Sequence, residues 1–390
     1  MPDILISGAS VAGPCLAYWL RRYGFRVTVV ERAPALRGGG YAVDFRGPVH
    51  LNVLTQMGVL DQIRARQTTP TPLTTVDADG RPQCQMPAEI FAGDVEILRG
   101  DLAEILYGAS AGDTEYVFGD TITALDQTAD GVQVRFERGA PRTFDLVIGA
   151  DGLHSAVRRL AFPPTPLREL GLYVCIFPIT NLAGRAGLLH SVPGRTSSVF
   201  SAHDGADGIA MLTFAGPPLI YDHRDLAAQR RIVADQFAGD GWLVPELLRQ
   251  LETADDFYFD SVSQVRLDRW STGRVALLGD AGWAAGPGGN GTGTAVVAAY
   301  VLAGELARAG DDHTLAFDRY ERTLRSYVEG GQKQAAAGLD FLAPPTWKKI
   351  RQRDRFFRMV PYLPVKGLIR KMANRTAVAL DLPTYDLIQR

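Results

Sequence analysis

Four short apolar runs, at residues 3–7, 24–30, 144–149 and 275–278, set the rhythm of this chain, and each ends on or is followed by glycine or a carboxylate. Runs of that length bounded by turn residues read as buried strands. Between the first two, residues 14–23 have the amphipathic spacing of a helix, so the chain opens with a βαβ unit. Residues 49–66 carry helical spacing with a break at Gly58, and 99–106 start a further helix. Residues 116–138 alternate, with turns at Gly119-Asp120 and Asp130-Gly131, which predicts a small antiparallel meander.

From 172 to 215 the pattern changes to strands at 174–180, 186–192, 197–202 and 209–214, separated by Gly, Pro and Asn turns. Helices follow over 223–251, then a strand at 257–267 leads back toward the first domain. Residues 295–309 are mostly Ala, Val and Leu, a helix-forming composition. The expected fold class is α/β: a Rossmann-like dinucleotide-binding domain interleaved with an antiparallel β-sheet substrate domain, plus a C-terminal helix. Its segments are 1–171 (with inserted strands), 172–267 for the sheet, a return at 268–340, and a C-terminal helical segment at 341–390.

Composition narrows the function classes. A formal net charge of −2 over 390 residues lacks the basic footprint of a nucleic-acid binder. Cys15, Cys84 and Cys175 are odd in number and lack metal-ligand spacing, so no metal is expected and a reducing compartment is. No apolar run of about 18 residues could cross a membrane, and the first residues lack a secretory signal, which together predict a cytoplasmic protein. The first lysine is Lys333, which excludes a catalytic lysine before it. Residues 346–375 are strongly basic, with Trp347, Ile350, Phe356, Phe357, Leu363, Leu368 and Met372 as an apolar face. Pro361 and Pro364 break that stretch, so it reads as a packed helix with a solvated basic face in preference to a membrane-surface helix.

The candidate chemistry sits where the strands end. Gly8-Ala-Ser-Val-Ala-Gly13 joins the first strand to its helix: Gly8 permits the tight turn, Gly13 permits close packing, and the backbone at Ser10, Val11 and Ala12 can approach a pyrophosphate. Ser10 replaces the middle glycine of the usual motif. Glu31, about 20 residues on, can hold ribose hydroxyls. Arg32 follows it, and Arg37 opens a loop through Gly38, Gly39 and Gly40. Arg99 stands just before a helix, as a surface charge or as a phosphate or ribityl contact. Asp151-Gly152 ends the third strand, and His154, without an identifiable partner, reads as positional in preference to catalytic. Gly279-Asp280 ends the fourth. Five of the eight residues 286–293 are glycine, including Gly291 and Gly293 around Thr292, so backbone N–H groups can approach a flat or anionic ligand ahead of a helix N-terminus.

Together the Gly8–Gly13 motif with Glu31, the segment from Ala150 to Arg158, and Gly279-Asp280 with Pro287 and Gly289 to Gly293 resemble the single-component FAD-dependent aromatic hydroxylases. That is the para-hydroxybenzoate hydroxylase-like family, including tetracycline-inactivating flavin monooxygenases, and the resemblance runs from residue 3 to about 340. It implies FAD as cofactor, with ADP ribose at Glu31, pyrophosphate at Gly8–Gly13 and Arg99, and the ribityl chain or phosphate near Asp280. The Asp151-Gly152 motif is associated there with both FAD and NAD(P)H. The flavin pyrimidine edge would face the helix start at Gly291-Thr292-Gly293, Pro287 would shape the wall beside the ring, and the Gly38–Gly40 loop with Arg37 would lie next to it. Trp283 and Tyr300 depart from the family, which more often has histidine and aspartate there.

The resemblance further implies an FAD-dependent NAD(P)H:oxygen monooxygenase, with oxygen activation at flavin C4a and NADPH or NADH as transient reductant. Its substrate would be an aromatic or polyketide-like small molecule, in secondary metabolism or antibiotic modification. The mix of Phe177, Phe200, Phe214, Tyr221 and Phe259 with small residues fits a large apolar ligand, and equally an ordinary core. A flavin-retaining protein of non-redox or ligand-sequestering function is the alternative, and a plain nicotinamide dehydrogenase a third.

Overall fold

The computed structural model describes residues 2–38, 40–69, 72–88, 93–180, 182, 187–201, 207–288, 290–362 and 375–385. Gly39, Gly289 and the stretch carrying Leu363, Pro364, Leu368 and Met372 lie outside them. The α/β architecture is as expected. Its central sheet runs Ser271–Thr272, Val275–Leu277, Leu146–Gly149, Asp3–Ser7, Arg26–Glu31, Glu115–Phe118, parallel except for the first edge strand. Ile4, Leu5, Ile6, Val147, Ile148, Val275 and Leu277 are fully buried, as strands covered on both faces must be.

Register decides what the strand ends share. Ser7 pairs with both Gly149 and Val30, and Gly149 with Leu277. Gly8, Glu31, Ala150 and Leu278 therefore leave the sheet in one row, at the C-terminal edge where open α/β sheets bind ligands.

Glu115–Phe118 departs from the expected meander: it pairs in parallel with Arg26–Glu31 and closes the sheet's far edge. The chain then turns at Asp120, a buried carboxylate accepting from the N–H groups of Thr121, Arg138 and Gly139 at 2.8–3.0 Å. The three-stranded antiparallel sheet consists of Ile122–Gln127, Val132–Phe136 and Arg142–Phe144.

The second large sheet has seven strands: Tyr258–Gln264, Arg168–Thr180, Asp207–Ala215, Arg195–Ser201, Gly187–Val192, Leu73–Val76 and Pro82–Met86. Helices Leu226–Phe237 and Val244–Thr253 cover one face, burying Val233, Phe237, Leu247 and Leu251 against Cys175, Phe177, Leu212 and Phe214. Two features differ from the sequence expectation. The first strand begins at Arg168, and the hairpin 73–86, inside the 1–171 segment, joins this sheet by parallel pairing of Leu73–Val76 with Gly187–Val192. Thr, Gln and Pro give that hairpin no apolar run to announce it.

Helix Gly291–Ala309 is buried on all sides from Gly293 to Leu306, which marks a core helix. The C-terminal helix Trp347–Met359 buries Ile350 and Phe357, with Lys348, Lys349, Arg351 and Arg355 exposed. Beyond it, residues 375–378 form a turn and 379–385 have no regular secondary structure, a correction to the helical segment expected over 341–390. They return to the buried helix: Tyr300 Oη donates to Pro383 O at 3.0 Å, and the Tyr385 ring fills the space a Cβ on Gly304 would take. Tyr300 is thus a packing residue.

The start of the same helix rests on His50. That imidazole is fully buried and leaves no room for any side chain at Gly293. Arg46 N–H donates to its Nδ1 at 3.0 Å, which fixes the tautomer with the proton on Nε2, and Nε2 lies 2.7 Å from Tyr327 Oη. Burial, then the nearby Arg46 charge, push its pKa down from 6.5 to about 3. The unfolded imidazole takes a proton that the folded one refuses, so stability falls as pH falls from about 6.5 toward 3. His50→Gln is expected to flatten the urea-midpoint profile between about pH 6.5 and 5, removing on the order of 1.5 kcal/mol of pH dependence. Parallel profiles for wild type and variant would show that His50 is not the titrating group.

Candidate active site

The site is built first from steric constraint. Gly8 has φ +108°, and a Cβ on it would stand 2.5 Å from Ala150 O. A Cβ on Gly13 would lie 1.9 Å from Gly8 O. Only glycine at both positions lets the strand end, the turn and helix Ala12–Arg22 pack this closely. That helix has no side-chain cap and no acid in its first turn, so its N-terminal N–H groups and positive end face the opening.

Charged groups frame the turn. Glu31 Oε2 accepts from Ala9 N–H at 2.8 Å and Oε1 from Ala33 N–H at 2.9 Å, so the carboxylate is held at the strand end with lone pairs to spare. Arg99 reaches in from the start of helix Arg99–Ser110, and its Nη1 donates to Ser10 Oγ at 3.0 Å. Arg99 Nε is buried and has no partner among the described residues. An orphaned guanidinium donor beside free backbone N–H groups fits an anionic ligand bridging them.

Asp280 follows Leu278-Gly279, and its Oδ1 lies 3.8 Å from where a Gly291 Cβ would be. It is exposed, as are Tyr41 at 43% and Tyr258 at 44%. Yet desolvation is the largest cause raising the pKa of all three, with Arg99 opposing it in each. Groups that solvent can touch while protein mass surrounds them line a deep cleft. Here it runs from Glu31 past the turn to Asp280 and the start of helix Gly291–Ala309.

The far end of the cleft has a second helix N-terminus. Asn290 caps helix Gly291–Ala309 in the left-handed conformation, but its side chain donates to Thr376 Oγ1 at 3.0 Å and leaves the first-turn N–H groups of Gly291, Thr292 and Gly293 uncapped. Pro287 is exposed in the preceding turn. Gln264 and Gln332 hold the segment leading into that turn: Gln264 Nε2 donates to Ala285 O at 2.9 Å, and Gln332 Nε2 to Ala284 O at 3.2 Å.

Other sequence candidates are placed differently. Asp151 accepts from Oγ of the N-cap residue Ser155 at 2.5 Å and from the N–H groups of Ala156 and Val157, ordering helix Ala156–Ala161. Its carboxylate is occupied, and the backbone at 150–151 forms the wall against Gly8. Arg32 and Arg37 are exposed and make no hydrogen bond or ion pair among the described residues. Trp283 belongs to a buried aromatic cluster with Trp270 and Tyr320, its rings tilted and edge-to-face. His154 does have a partner: its Nε2 lies 2.7 Å from Asp260 Oδ2. A cavity of about 310 Å³ beside Trp270, Trp283, Arg325 and Gln332 shares none of the cleft residues. Sequence reasoning missed Tyr41, His50, Tyr258 and Asp260, and no spacing rule would have found them.

Residues 1–171 match the family described as FAD binding domain. An uncharacterized protein of Mycobacterium tuberculosis is 44% identical over 85% of this chain and 92% of its own length. A flavin-dependent monooxygenase from an unknown prokaryotic organism is 38% identical over 98% of both chains. Among solved structures, the tetracycline destructase Tet(51) superposes with a TM-score of 0.88 at 34% identity, covering 99% of this chain and 100% of its own. With a glycine turn, an unpartnered arginine Nε and two uncapped helix starts along one cleft, and relatives of that identity over nearly the whole length, the chain belongs to the FAD-dependent monooxygenases.

Proposed function

We propose that this monooxygenase oxygenates an aromatic or polyketide-like small molecule, with FAD lying along the cleft from Glu31 to Gly293. In this reading Glu31 holds the adenosine ribose. The Gly8–Gly13 turn, through the backbone at Ser10, Val11 and Ala12, and Arg99 hold the pyrophosphate, while Asp280 accepts from ribityl hydroxyls. The N–H groups of Gly291, Thr292 and Gly293 face the pyrimidine edge of the ring, where reduction adds negative charge that a helix start stabilises. Pro287 and Arg37 border the ring, and Arg32 lies beyond Glu31 at the cleft's outer end. Asp151 acts through backbone order at the turn. FAD, when bound, supplies hydride acceptance from NAD(P)H and activation of oxygen.

What the chain itself does is bind, orient and exclude water. Tyr41 and Tyr258, with pKa values raised by desolvation, stay protonated phenols facing the cleft. They offer hydroxyl groups to a ligand without adding charge. The observation that carries the reading is the buried Arg99 Nε without a partner, beside a turn that two glycines keep open. The substrate class rests on the destructase, a protein whose name assigns it tetracycline. The three buried free cysteines support action in the cytoplasm.

Arg99→Ala is expected to weaken FAD binding by about 10- to 100-fold, the loss of one or two charge-assisted hydrogen bonds. Flavin-fluorescence titration of the apoprotein measures it, and unchanged affinity would remove Arg99 from the cofactor site. For the reaction, tetracycline and a panel of phenolic polyketides are incubated with enzyme, FAD, NADPH and isotopically labelled oxygen gas. One labelled oxygen atom should enter a panel member, with NADPH oxidation accelerated by that compound. Flavin that NADPH never reduces, whatever compound is present, would favour the non-redox alternative.

A further inference from the structure

His154, His223 and Asp260 come from three separate segments and meet at one point. His154 lies in the turn after strand Leu146–Gly149, His223 in the loop before helix Leu226–Phe237, and Asp260 on strand Tyr258–Gln264. Asp260 is 5% exposed, whereas the two imidazoles are open to solvent. His154 Nε2 is 2.7 Å from Asp260 Oδ2, His223 Nδ1 is 4.0 Å from Oδ1, and the two rings are 4.1 Å apart. All three ligand atoms lie within 4.8 Å of one another. The carboxylate's other contacts are Ser261 N–H at 2.8 Å and Tyr221 Oη at 3.4 Å, both on Oδ1. The flavin reading uses none of these three residues.

Two imidazole nitrogens and one carboxylate oxygen are a donor set for a divalent transition metal, with one position open. Metal–ligand bonds of about 2.0–2.1 Å in a tetrahedron put neighbouring ligand atoms roughly 3.3 Å apart. The three candidate ligand atoms lie within 4.8 Å of one another, so shifts of roughly 1.5 Å in the two exposed imidazoles bring them to that spacing. The buried carboxylate, fixed on a strand, is the anchor, and the solvated imidazoles provide the entry path. A hydrogen bond alone accounts for His154 against Asp260, but it leaves the second imidazole packed against the first and 4.0 Å from the carboxylate, beyond hydrogen-bond reach. One cation satisfies both rings and the carboxylate together.

We propose that His154, His223 and Asp260 bind one divalent transition-metal ion, zinc in the first instance, with an open coordination position. Tyr258 and Asp260 share a face of their strand by the two-residue period. Tyr258 faces the cleft, so the ion would sit at its rim and pin the loop carrying Tyr221 and His223 to the strand. The site is independent of the flavin assignment and stands or falls by itself.

The test uses the full chain, free of any affinity tag, loaded with FAD and stripped of metal by chelator. Calorimetric titration with Zn²⁺ near neutral pH should show one saturable ion per chain, and Co²⁺ should give the visible bands of a four-coordinate site to the red of the flavin spectrum. Zn²⁺ should also raise the thermal midpoint. His154→Ala and His223→Ala should each weaken binding about tenfold or more, and His223→Ala, which breaks no hydrogen bond to Asp260, should leave the metal-free thermal midpoint unchanged. Absence of saturable one-to-one binding would overturn the proposal. So would binding and thermal stabilisation that persist in the His154→Ala/His223→Ala double variant, since the ion would then be held by other residues.

Discussion

Two carbonyl contacts at the end of the first strand constrain everything around them. Gly8 presses on Ala150 O and Gly13 on Gly8 O, at separations that no Cβ could share. Because strands Asp3–Ser7 and Leu146–Gly149 are parallel and in register, this packing draws the first turn and the turn after the third strand together. Strand Val275–Leu277 continues the row on the other side and delivers Gly279 and Asp280 to the same edge. The cleft is the space these ends leave between the central sheet and strand Tyr258–Gln264 of the larger second sheet. Its polar lining follows from the need to satisfy strand and helix ends that the crowded backbone cannot satisfy internally.

The long buried helix carries this order to the cleft's far end. Fourteen of its nineteen residues are buried, and Val296, Val297, Val301 and Leu302 are each completely inaccessible, worth roughly 1.5–3 kcal/mol apiece. Its N-terminus is set by polar contacts: His50 beneath Gly293, Tyr327 beneath His50, and Thr376 against Asn290. A neutral imidazole there avoids placing a positive charge under a helix start that is itself positive. The returning segment 375–385 clamps the same helix further along through Pro383 and Tyr385.

What could be read from the residues alone was whatever is local in the chain. The glycine turn, Glu31, and Gly279-Asp280 before a glycine-rich turn all lie within about 20 residues of a recognisable strand, so spacing carries their geometry. The α/β class and the FAD monooxygenase family follow from the same motifs, and both hold. Partners far apart in sequence were not legible. His50 meets Tyr327 across 277 positions and His154 meets Asp260 across 106, contacts that depend on tertiary packing. Glu115–Phe118 was misplaced for a related reason: alternation predicts a strand but does not say which edge it will complete. Asp151 shows the opposite limit, since its motif was visible and its carboxylate turned out to cap a helix.

The most direct test of the central claim is a crystal structure of the protein with FAD. The pyrophosphate should lie against the Gly8–Gly13 turn within hydrogen-bond reach of Arg99, the adenosine ribose on Glu31, and the flavin pyrimidine edge at the N–H groups of Gly291 to Gly293. A flavin bound with its pyrophosphate away from Arg99, or with its ring remote from the start of helix Gly291–Ala309, would contradict the account.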